Sequence, residues 1–176
     1  ALLEIALYGA GLWNLMYLYV WPIVVLAALP FRRSESRAFW AAIAGLRRLG
    51  LTNITLTNRR KERAEALCNE FGLLCAPWEE RGDVPADLII NTTSLGMTGA
   101  QEHETPYPSP FQGSGIAYDL IYTPFQTRFL LDAAAAGWET IPGLDMFIGQ
   151  GDAQFHLWTG HHLPKEAVTA VASALY

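Results

Sequence analysis

The sequence has 176 residues, of which 51% are apolar and 16% are charged. This length suits one domain, or one domain with an appendage, and the composition supplies enough apolar residues for a sizeable core. The formal net charge of −5 argues against binding to nucleic acid, which calls for a basic surface. Two cysteines, Cys68 and Cys75, are too few for a disulfide framework or a metal site, so we interpret them as structural thiols in a reducing compartment, the cytoplasm.

The chain begins with an uncharged stretch, Ile5–Phe31, which is followed directly by Arg32 and Arg33. The stretch is long enough to span a bilayer, with the two arginines on the cytoplasmic side. Pro22 and several Trp and Tyr residues in the middle of the stretch argue against a span, because membrane helices place their aromatic residues near the two ends. We therefore favour a short helix followed by a buried strand, and a membrane-anchored domain is the alternative.

Beyond residue 22 the predicted strands and helices alternate. The predicted strands are Ile23–Leu29, Asn53–Thr57, Ala86–Ile90, Ile116–Tyr122 and Thr140–Pro142, and the predicted helices are Ser36–Leu49, Lys61–Phe71, Thr127–Ala136, Asp145–Trp158 and Pro164–Tyr176. Continuous apolar runs predict the strands, and apolar residues at helical spacing predict the helices. Residues 97–115 are rich in Gly, Pro, Ser and Thr and are predicted to form a loop. This order predicts an α/β fold with a mostly parallel sheet and helices on both faces.

In such a fold, ligands bind beyond the carboxyl ends of the strands, so the residues that follow each strand are the candidates for function. The second strand is followed by a polar and basic cluster: Asn58, Arg59, Arg60, Lys61 and Arg63. Cations at the start of a helix oppose the helix dipole, and arginine can hold a phosphate through two hydrogen bonds. We interpret the cluster as a phosphate site, and a solvated helix start is the alternative.

The later strands are followed by polar residues whose types point less clearly to a particular function. Thr92 belongs to a run of small hydroxyl residues that either lines a cofactor channel or only stabilises a turn. Asp119 lies in an apolar strand, and we assign it a structural role because a buried carboxylate needs hydrogen-bond partners. Gln150 is a single amide on a largely apolar helix, for which a structural hydrogen bond is the simplest explanation. The histidines near the C-terminus lack the spacing of metal ligands, so no metal site is predicted.

Four segments together resemble the shikimate dehydrogenase family: LTNRRKERAEAL, ADLIINTTSLGM, AYDLIYTP and IPGLDMFIGQGDAQFHLWTG. They follow the order and the separations of that family between Ser36 and Pro164. The resemblance implies a Rossmann-like, NADP-binding domain over residues 22–176, with residues 1–21 as a remnant of the helix that joins two domains. It also implies hydride transfer between NADPH and the ring ketone of 3-dehydroshikimate, a step in the chorismate pathway to the aromatic amino acids.

The resemblance also indicates which residues contact the ligands. The cofactor-binding candidates are Asn58, Arg59, Arg60, Lys61, Arg63, Thr92, Leu120 and Gly143. Among these, Asn58 and Arg59 match the pair that selects NADP in the family, and Leu120 and Gly143 match positions near the nicotinamide. Tyr122 and Gln150 match residues that contact a small-molecule substrate of the shikimate or quinate class.

Two features of the family are not found in the sequence. The residues Phe31–Glu35 stand where the family has a Gly-Ala-Gly-Gly-Ala turn, and their side chains would keep the backbone away from a pyrophosphate. The catalytic Lys and Asp of the family have no counterpart, since the first lysine is Lys61.

We therefore assign no catalytic residue and expect this chain to be inactive alone, with truncation, a frameshift and natural divergence as the alternatives for residues 1–35. A non-catalytic Rossmann-type binding module is the alternative. We expect no nucleic acid and no membrane as partners, and we consider a homodimer as the assembly.

Overall fold

The computed structural model describes residues 37–175. Three predicted features lie outside these residues: the apolar segment 1–21, the strand Ile23–Leu29 and the turn segment Phe31–Glu35. Among the helices that the model describes, none combines the length and the apolar character that a membrane crossing requires.

The described elements alternate along the chain, as predicted. The helices are α1 (Arg37–Arg48), α2 (Lys61–Phe71), α3 (Arg128–Ala135), α4 (Gly143–Thr159) and α5 (Lys165–Leu175), and the strands are β1 (Thr55–Leu56), β2 (Leu74–Cys75), β3 (Leu88–Asn91), β4 (Ile116–Asp119) and β5 (Glu139–Ile141). A short 3-10 turn, Trp78–Glu80, follows β2. The five predicted helices and the last four predicted strands are all confirmed, with boundaries that agree or differ by at most three residues.

Every pair of neighbouring strands in the described chain is parallel. β1 pairs with β2, and Thr55 lies opposite Leu74. β3, β4 and β5 form a second group in that order, with Ile116 opposite both Leu88 and Glu139. Parallel strands joined through helices confirm the predicted α/β architecture, and they place the carboxyl ends of the strands in each group at one edge.

Two apolar clusters form the core. In the first, the Phe111 ring contacts the rings of Tyr107, Phe129 and Trp138 at centroid distances of 4.5, 5.5 and 5.4 Å. Phe129 on α3 is fully buried, because α3 packs on β4 and β5. The segment 97–115 contains no helix or strand, which confirms the predicted loop, yet it supplies two of these four aromatic residues.

The second cluster joins α1 and α2 to β1. Phe39, Ile43 and Leu67 are buried there and pack against Leu56 and its neighbours. Gly72 ends α2 in the left-handed conformation, with φ of 58°, as its position after the predicted helix indicates. The packing fixes α2 against β1, so the start of α2 has a defined place beside the carboxyl end of that strand.

The structure corrects two boundaries near the candidate site. The predicted strand Ile116–Tyr122 ends at Asp119, because the backbone N–H of Ile121 donates to the Asp119 side chain (2.9 Å) and no longer follows the ladder. The predicted helix Asp145–Trp158 begins earlier, at Gly143, directly after Pro142. The backbone that follows β4 and the start of α4 lie next to each other at this point.

Candidate functional site

The basic cluster lies between β1 and the first turn of α2. The Asn58 side-chain oxygen accepts a hydrogen bond from the backbone N–H of Arg60 (3.0 Å), and this bond turns the chain into α2. Arg60 is the N-cap residue, and no side chain caps the helix. The first N–H groups of α2 therefore have no side-chain acceptor, which leaves a favourable place for an anion.

The protein balances only part of the positive charge of this cluster, and Glu62 is the one acidic residue in the first turn of α2. Arg59, Arg60 and Lys61 are exposed. Lys61 lies 3.9 Å from Glu65, and both side chains are exposed, so this pair contributes little. Within residues 37–175 no ion pair involves Arg59 or Arg60. An excess of positive charge at an uncapped helix N-terminus suits a phosphate group.

Thr92 lies at the carboxyl end of β3. Thr92 is half-buried and directly follows the last residue of β3. The structure thus puts Thr92 at the edge where ligands bind in open α/β sheets, and a contact of Thr92 with the cofactor stays a prediction.

Leu120 and Gly143 are brought together by the close approach of α4 to the end of β4. A Cβ atom on Gly143 would lie only 2.6 Å from the carbonyl carbon of Ile121 and 2.7 Å from that of Leu120. Only glycine lets the helix start in direct contact with this backbone. The two residues predicted to lie near the nicotinamide are therefore neighbours in space.

Tyr122 and Gln150 are found near the same end of α4. The Tyr122 ring stacks on Phe147, with centroids 4.5 Å apart and an angle of 22° between the rings. Tyr122 is 39% exposed, so one side of the ring is open to a ligand. Gln150 is half-buried and lies three residues after Phe147 on the same helix, and hence on the same face.

Sequence reasoning missed the role of Phe147. The sequence feature that could have identified Phe147 is its spacing of three residues from Gln150 on a predicted helix, because this spacing places the two side chains side by side. The stacking partner, Tyr122, lies in a different element and could not be paired with Phe147 from the sequence.

A buried hydrogen-bond network underlies this part of the site and is centred on Asp119. Its carboxylate accepts from the Asn91 amide (3.0 Å), the Thr127 hydroxyl (2.6 Å) and the Ile121 N–H (2.9 Å), and it is fully buried. The Thr127 oxygen in turn accepts from the Leu130 N–H and so caps α3. The network ties the ends of β3 and β4 to the start of α3, which agrees with the structural role predicted for Asp119.

Burial raises the pKa of Asp119 from 3.8 to about 6, and the hydrogen bonds from Thr127, Ile121 and Asn91 oppose the shift. Because the folded-state pKa lies above the unfolded value, this carboxyl group stabilises the fold fully below about pH 4. The contribution is lost as the pH rises through about 6, and it amounts to about 3 kcal/mol.

We expect the difference in unfolding free energy between the wild type and Asp119→Asn to change by that amount between pH 4 and 7, with the wild type losing stability relative to the variant. Urea unfolding at a series of pH values measures it. Asp83, which is exposed, supplies the control variant Asp83→Asn, whose curve should run parallel to that of the wild type. If the unfolding free energies of the wild type and Asp119→Asn ran parallel with pH, the proposed link between Asp119 ionisation and stability would be contradicted.

Two further ionisable groups lie close to the start of α4. Burial raises the pKa of the Tyr118 hydroxyl, and the nearby carboxylate of Asp145 raises it further. The Tyr118 hydroxyl is buried without a hydrogen-bond partner among the described residues. Burial also raises the pKa of Asp145, which lies in the first turn of α4. Burial at the start of α4 thus disfavours the charged form of both groups.

No metal centre is found in the described part of the chain, where no three His, Cys, Asp or Glu side chains are grouped to hold an ion. The C-terminal histidines have another arrangement. His156 and His162 stack with centroids 4.5 Å apart, and the His162 ring lies 2.8 Å from the Asp152 carboxylate. Asp152 also accepts from the Leu163 N–H (2.7 Å), so these contacts hold the connection between α4 and α5.

Comparisons with known proteins agree with this arrangement. The family model of the shikimate 5'-dehydrogenase C-terminal domain matches residues 143–172. The shikimate dehydrogenase (NADP(+)) of Pelobacter propionicus is 52% identical over 77% of this chain and 50% of its own length. That of Oleidesulfovibrio alaskensis is 49% identical over 77% of this chain and 50% of its own length. This chain therefore spans about half the length of the curated relatives that it matches.

Solved structures show the same relationship. The shikimate 5-dehydrogenase of Thermus thermophilus in complex with NADP(H) and shikimate superposes with a TM-score of 0.69 at 35% identity, covering 80% of this chain and 52% of the other. The quinate dehydrogenase of Corynebacterium glutamicum in complex with NAD gives 0.68 at 25% identity, covering 77% of this chain and 51% of the other. The predicted Rossmann-like fold is confirmed by these neighbours, and the chain belongs to the shikimate dehydrogenase family.

Proposed function

We propose that this chain is the cofactor-binding half of an NADP-dependent shikimate dehydrogenase. The family reaction transfers a hydride between NADPH and the ring ketone of 3-dehydroshikimate. The observation that carries the proposal is the uncapped, positively charged start of α2, which directly follows β1. The names of the relatives and the NADP(H)-bound neighbour support the same choice of cofactor.

The basic cluster fits the 2′-phosphate of NADP. Arg59 and Arg60 can each donate two hydrogen bonds to a phosphate, and Asn58 holds the turn that presents them. Lys61 and Arg63 add positive charge in the first turn of the helix. An NAD-selective site would instead carry an acidic residue here to accept from the ribose hydroxyls.

At the other end of the cofactor, Leu120 and Gly143 would bound the nicotinamide. The Gly143 backbone packs directly against the carbonyl groups of Leu120 and Ile121, so Leu120 and Gly143 belong to one rigid wall. The bound cofactor supplies the hydride. Tyr122 and Gln150, which flank Phe147, would contribute a hydroxyl and an amide to orient a polyhydroxylated substrate of the shikimate or quinate class.

We further propose that this chain is inactive alone. Proton transfer to the substrate oxygen requires a positioned acid or base. Gln150 is not suited to that task, because an amide does not titrate, and the family's catalytic Lys has no counterpart before Lys61. A cytoplasmic location fits the two unpaired thiols. A homodimer stays a prediction, and analytical ultracentrifugation would test it.

The cofactor proposal predicts a preference for NADP⁺ over NAD⁺ that depends on Arg59. Titration calorimetry of the chain with each dinucleotide measures the two affinities. Arg59→Ala should weaken NADP⁺ binding about 10- to 100-fold, the loss of one charge-assisted contact, and should leave NAD⁺ binding almost unchanged. Lys165→Ala is the matched control, since Lys165 is an exposed cation at the start of a different helix. Equal losses for both dinucleotides would contradict the 2′-phosphate assignment.

The proposed inactivity has a direct test. The chain is incubated with shikimate and NADP⁺, and NADPH formation is followed by absorbance. We expect no formation above the rate without protein, whether or not NADP⁺ binding is detected in the titration. Shikimate-dependent NADPH formation that scales with protein concentration would overturn the inactivity while leaving the cofactor proposal intact.

A further inference from the structure

The two cysteines approach each other where α2 ends and β2 begins. The chain reverses at Gly72, and the Leu73 N–H donates to the Cys68 carbonyl oxygen at 2.9 Å. The Cys68 thiol donates to the carbonyl oxygen of Leu74, the residue directly before Cys75, at 3.4 Å. The Cys68 thiol therefore lies next to the backbone that carries Cys75.

The surroundings of the two thiols differ. Cys68 is buried at 6% exposure, on the face of α2 that packs toward the sheet, next to Leu67. Cys75 is exposed and lies in β2, where it pairs with Leu56. An exposed thiol beside a buried one has the arrangement of an attacking and a resolving cysteine.

We propose that Cys68 and Cys75 form a reversible intramolecular disulfide by exchange with a low-molecular-weight disulfide. This modification site is independent of the cofactor and substrate sites proposed above. The bridge would join the last turn of α2 to β2 and would enclose only the turn around Gly72.

The exchange balances in two steps. The Cys75 thiolate attacks one sulfur of the small disulfide, forms a mixed disulfide and releases the other half as a thiolate. The Cys68 thiol then loses its proton to solvent, and its sulfur attacks the Cys75 sulfur, which releases the second small thiol. The two protein sulfurs are oxidised by two electrons in total, and the small disulfide is reduced to two thiols.

The environment also sets the order of the two attacks. Burial is the main cause that raises the pKa of Cys68 to about 12, and the neighbouring Cys75 thiol and Glu65 carboxylate contribute to the same shift. Cys68 is therefore a poor first nucleophile, and the exposed Cys75 reacts first. The second step requires the Cys68 proton to leave, so its rate should rise with pH across the neutral and mildly alkaline range.

Oxidised glutathione is the probe, and the intact mass of the full chain is the readout. The wild type should lose about 2 Da, the mass of two hydrogens, and retain no glutathione. Cys68→Ser should retain one glutathione on Cys75, because the resolving thiol is gone. Cys75→Ser should stay unmodified. A wild-type chain that keeps a stable glutathione adduct, or that links to a second chain, would overturn the proposal.

A second measurement separates native geometry from mere closeness in sequence. The fraction of intramolecular disulfide is measured at fixed ratios of reduced to oxidised glutathione, with and without denaturing urea. If the fold holds the thiols together, the native chain should favour the disulfide by about tenfold or more over the unfolded chain. An equal or smaller preference in the native chain would show that the fold does not bring the two sulfurs into bonding geometry.

Discussion

Replacing Asp119 with alanine is expected to lower the free energy of unfolding by about 3–5 kcal/mol, because three buried donors lose their acceptor. The carboxylate is the shared acceptor for Asn91, Thr127 and the Ile121 N–H, and all three donors are in the buried network. A donor that loses its acceptor inside the protein costs about 1–3 kcal/mol, since no water replaces the lost bond. Domains of this size are typically stable by only about 5–15 kcal/mol, so the variant should be largely unfolded in mild urea.

Urea unfolding followed by circular dichroism measures this loss. The control is Asp83→Ala, which removes a carboxylate of the same type from an exposed position. Surface substitutions of this kind usually change stability by less than about 0.5 kcal/mol. An Asp119→Ala variant within 1 kcal/mol of the wild type, by the same order-of-magnitude scale, would show that the network does not hold β3, β4 and α3 together.

A conservative replacement tests whether the network acts as a unit. Asp119→Asn keeps the shape of the side chain and one acceptor oxygen, but it turns the other acceptor into a donor. That NH₂ group would face either Asn91 or Thr127, and only the hydroxyl can rotate to accept. We therefore expect a loss between that of Asp83→Ala and that of Asp119→Ala at neutral pH.

The helices were the most predictable part of this fold, and α2 shows why. Its predicted limits, Lys61 and Phe71, agree with the structure, because Gly72 supplies the left-handed conformation that ends the helix. Both the apolar spacing and the stop signal are local properties of the sequence. Local sequence and tertiary packing therefore favour the same limits for this helix.

The strand β2 was missed for the opposite reason. Leu74–Cys75 is two residues long, and both residues are exposed, so no apolar run or alternation marks it. Its pairing with β1 is a contact between distant residues, which local sequence does not encode. Residues 97–115 are a similar case. Their composition predicted a loop, but it did not predict that Tyr107 and Phe111 of this loop are buried in the core.

The sequence identified the candidate residues one at a time, but not their arrangement in space. Leu120, Tyr122, Gly143 and Gln150 were identified from the family resemblance, and the basic cluster was identified from its position after a predicted strand. The relation between them depends on the backbone contact between β4 and α4, which has no sequence signal apart from one glycine. The same contact leads to the sharpest test of the site.

Replacing Gly143 with alanine is expected to destabilise the fold by about 1–3 kcal/mol and to displace α4 from β4. The new Cβ atom would lie 2.6 Å from the Ile121 carbonyl carbon and 2.7 Å from that of Leu120. These are backbone atoms, which cannot rotate away as a side chain can. The start of α4 must move by about 1 Å to restore normal contact distances near 3.5–4.0 Å.

The same helix offers a matched control at Gly151. A Cβ atom there would meet only the Leu163 side chain, at 3.7 Å, which is an ordinary contact. Gly151→Ala should therefore stabilise the chain by up to about 1 kcal/mol, because alanine is the better helix former. The two variants carry the same chemical change on one helix, and their effects on the unfolding free energy should have opposite signs.

The displacement also has a consequence for ligand binding. α4 carries Phe147, which stacks on Tyr122, and Gln150 one turn later, so a shift of the helix start changes both candidate substrate contacts. Tyrosine ring resonances in NMR spectra should report the loss of the stack in Gly143→Ala and should keep their positions in Gly151→Ala. An unchanged stack and unchanged stability in Gly143→Ala would mean that the end of β4 yields to the new methyl group, and the close contact would then not be what positions the site.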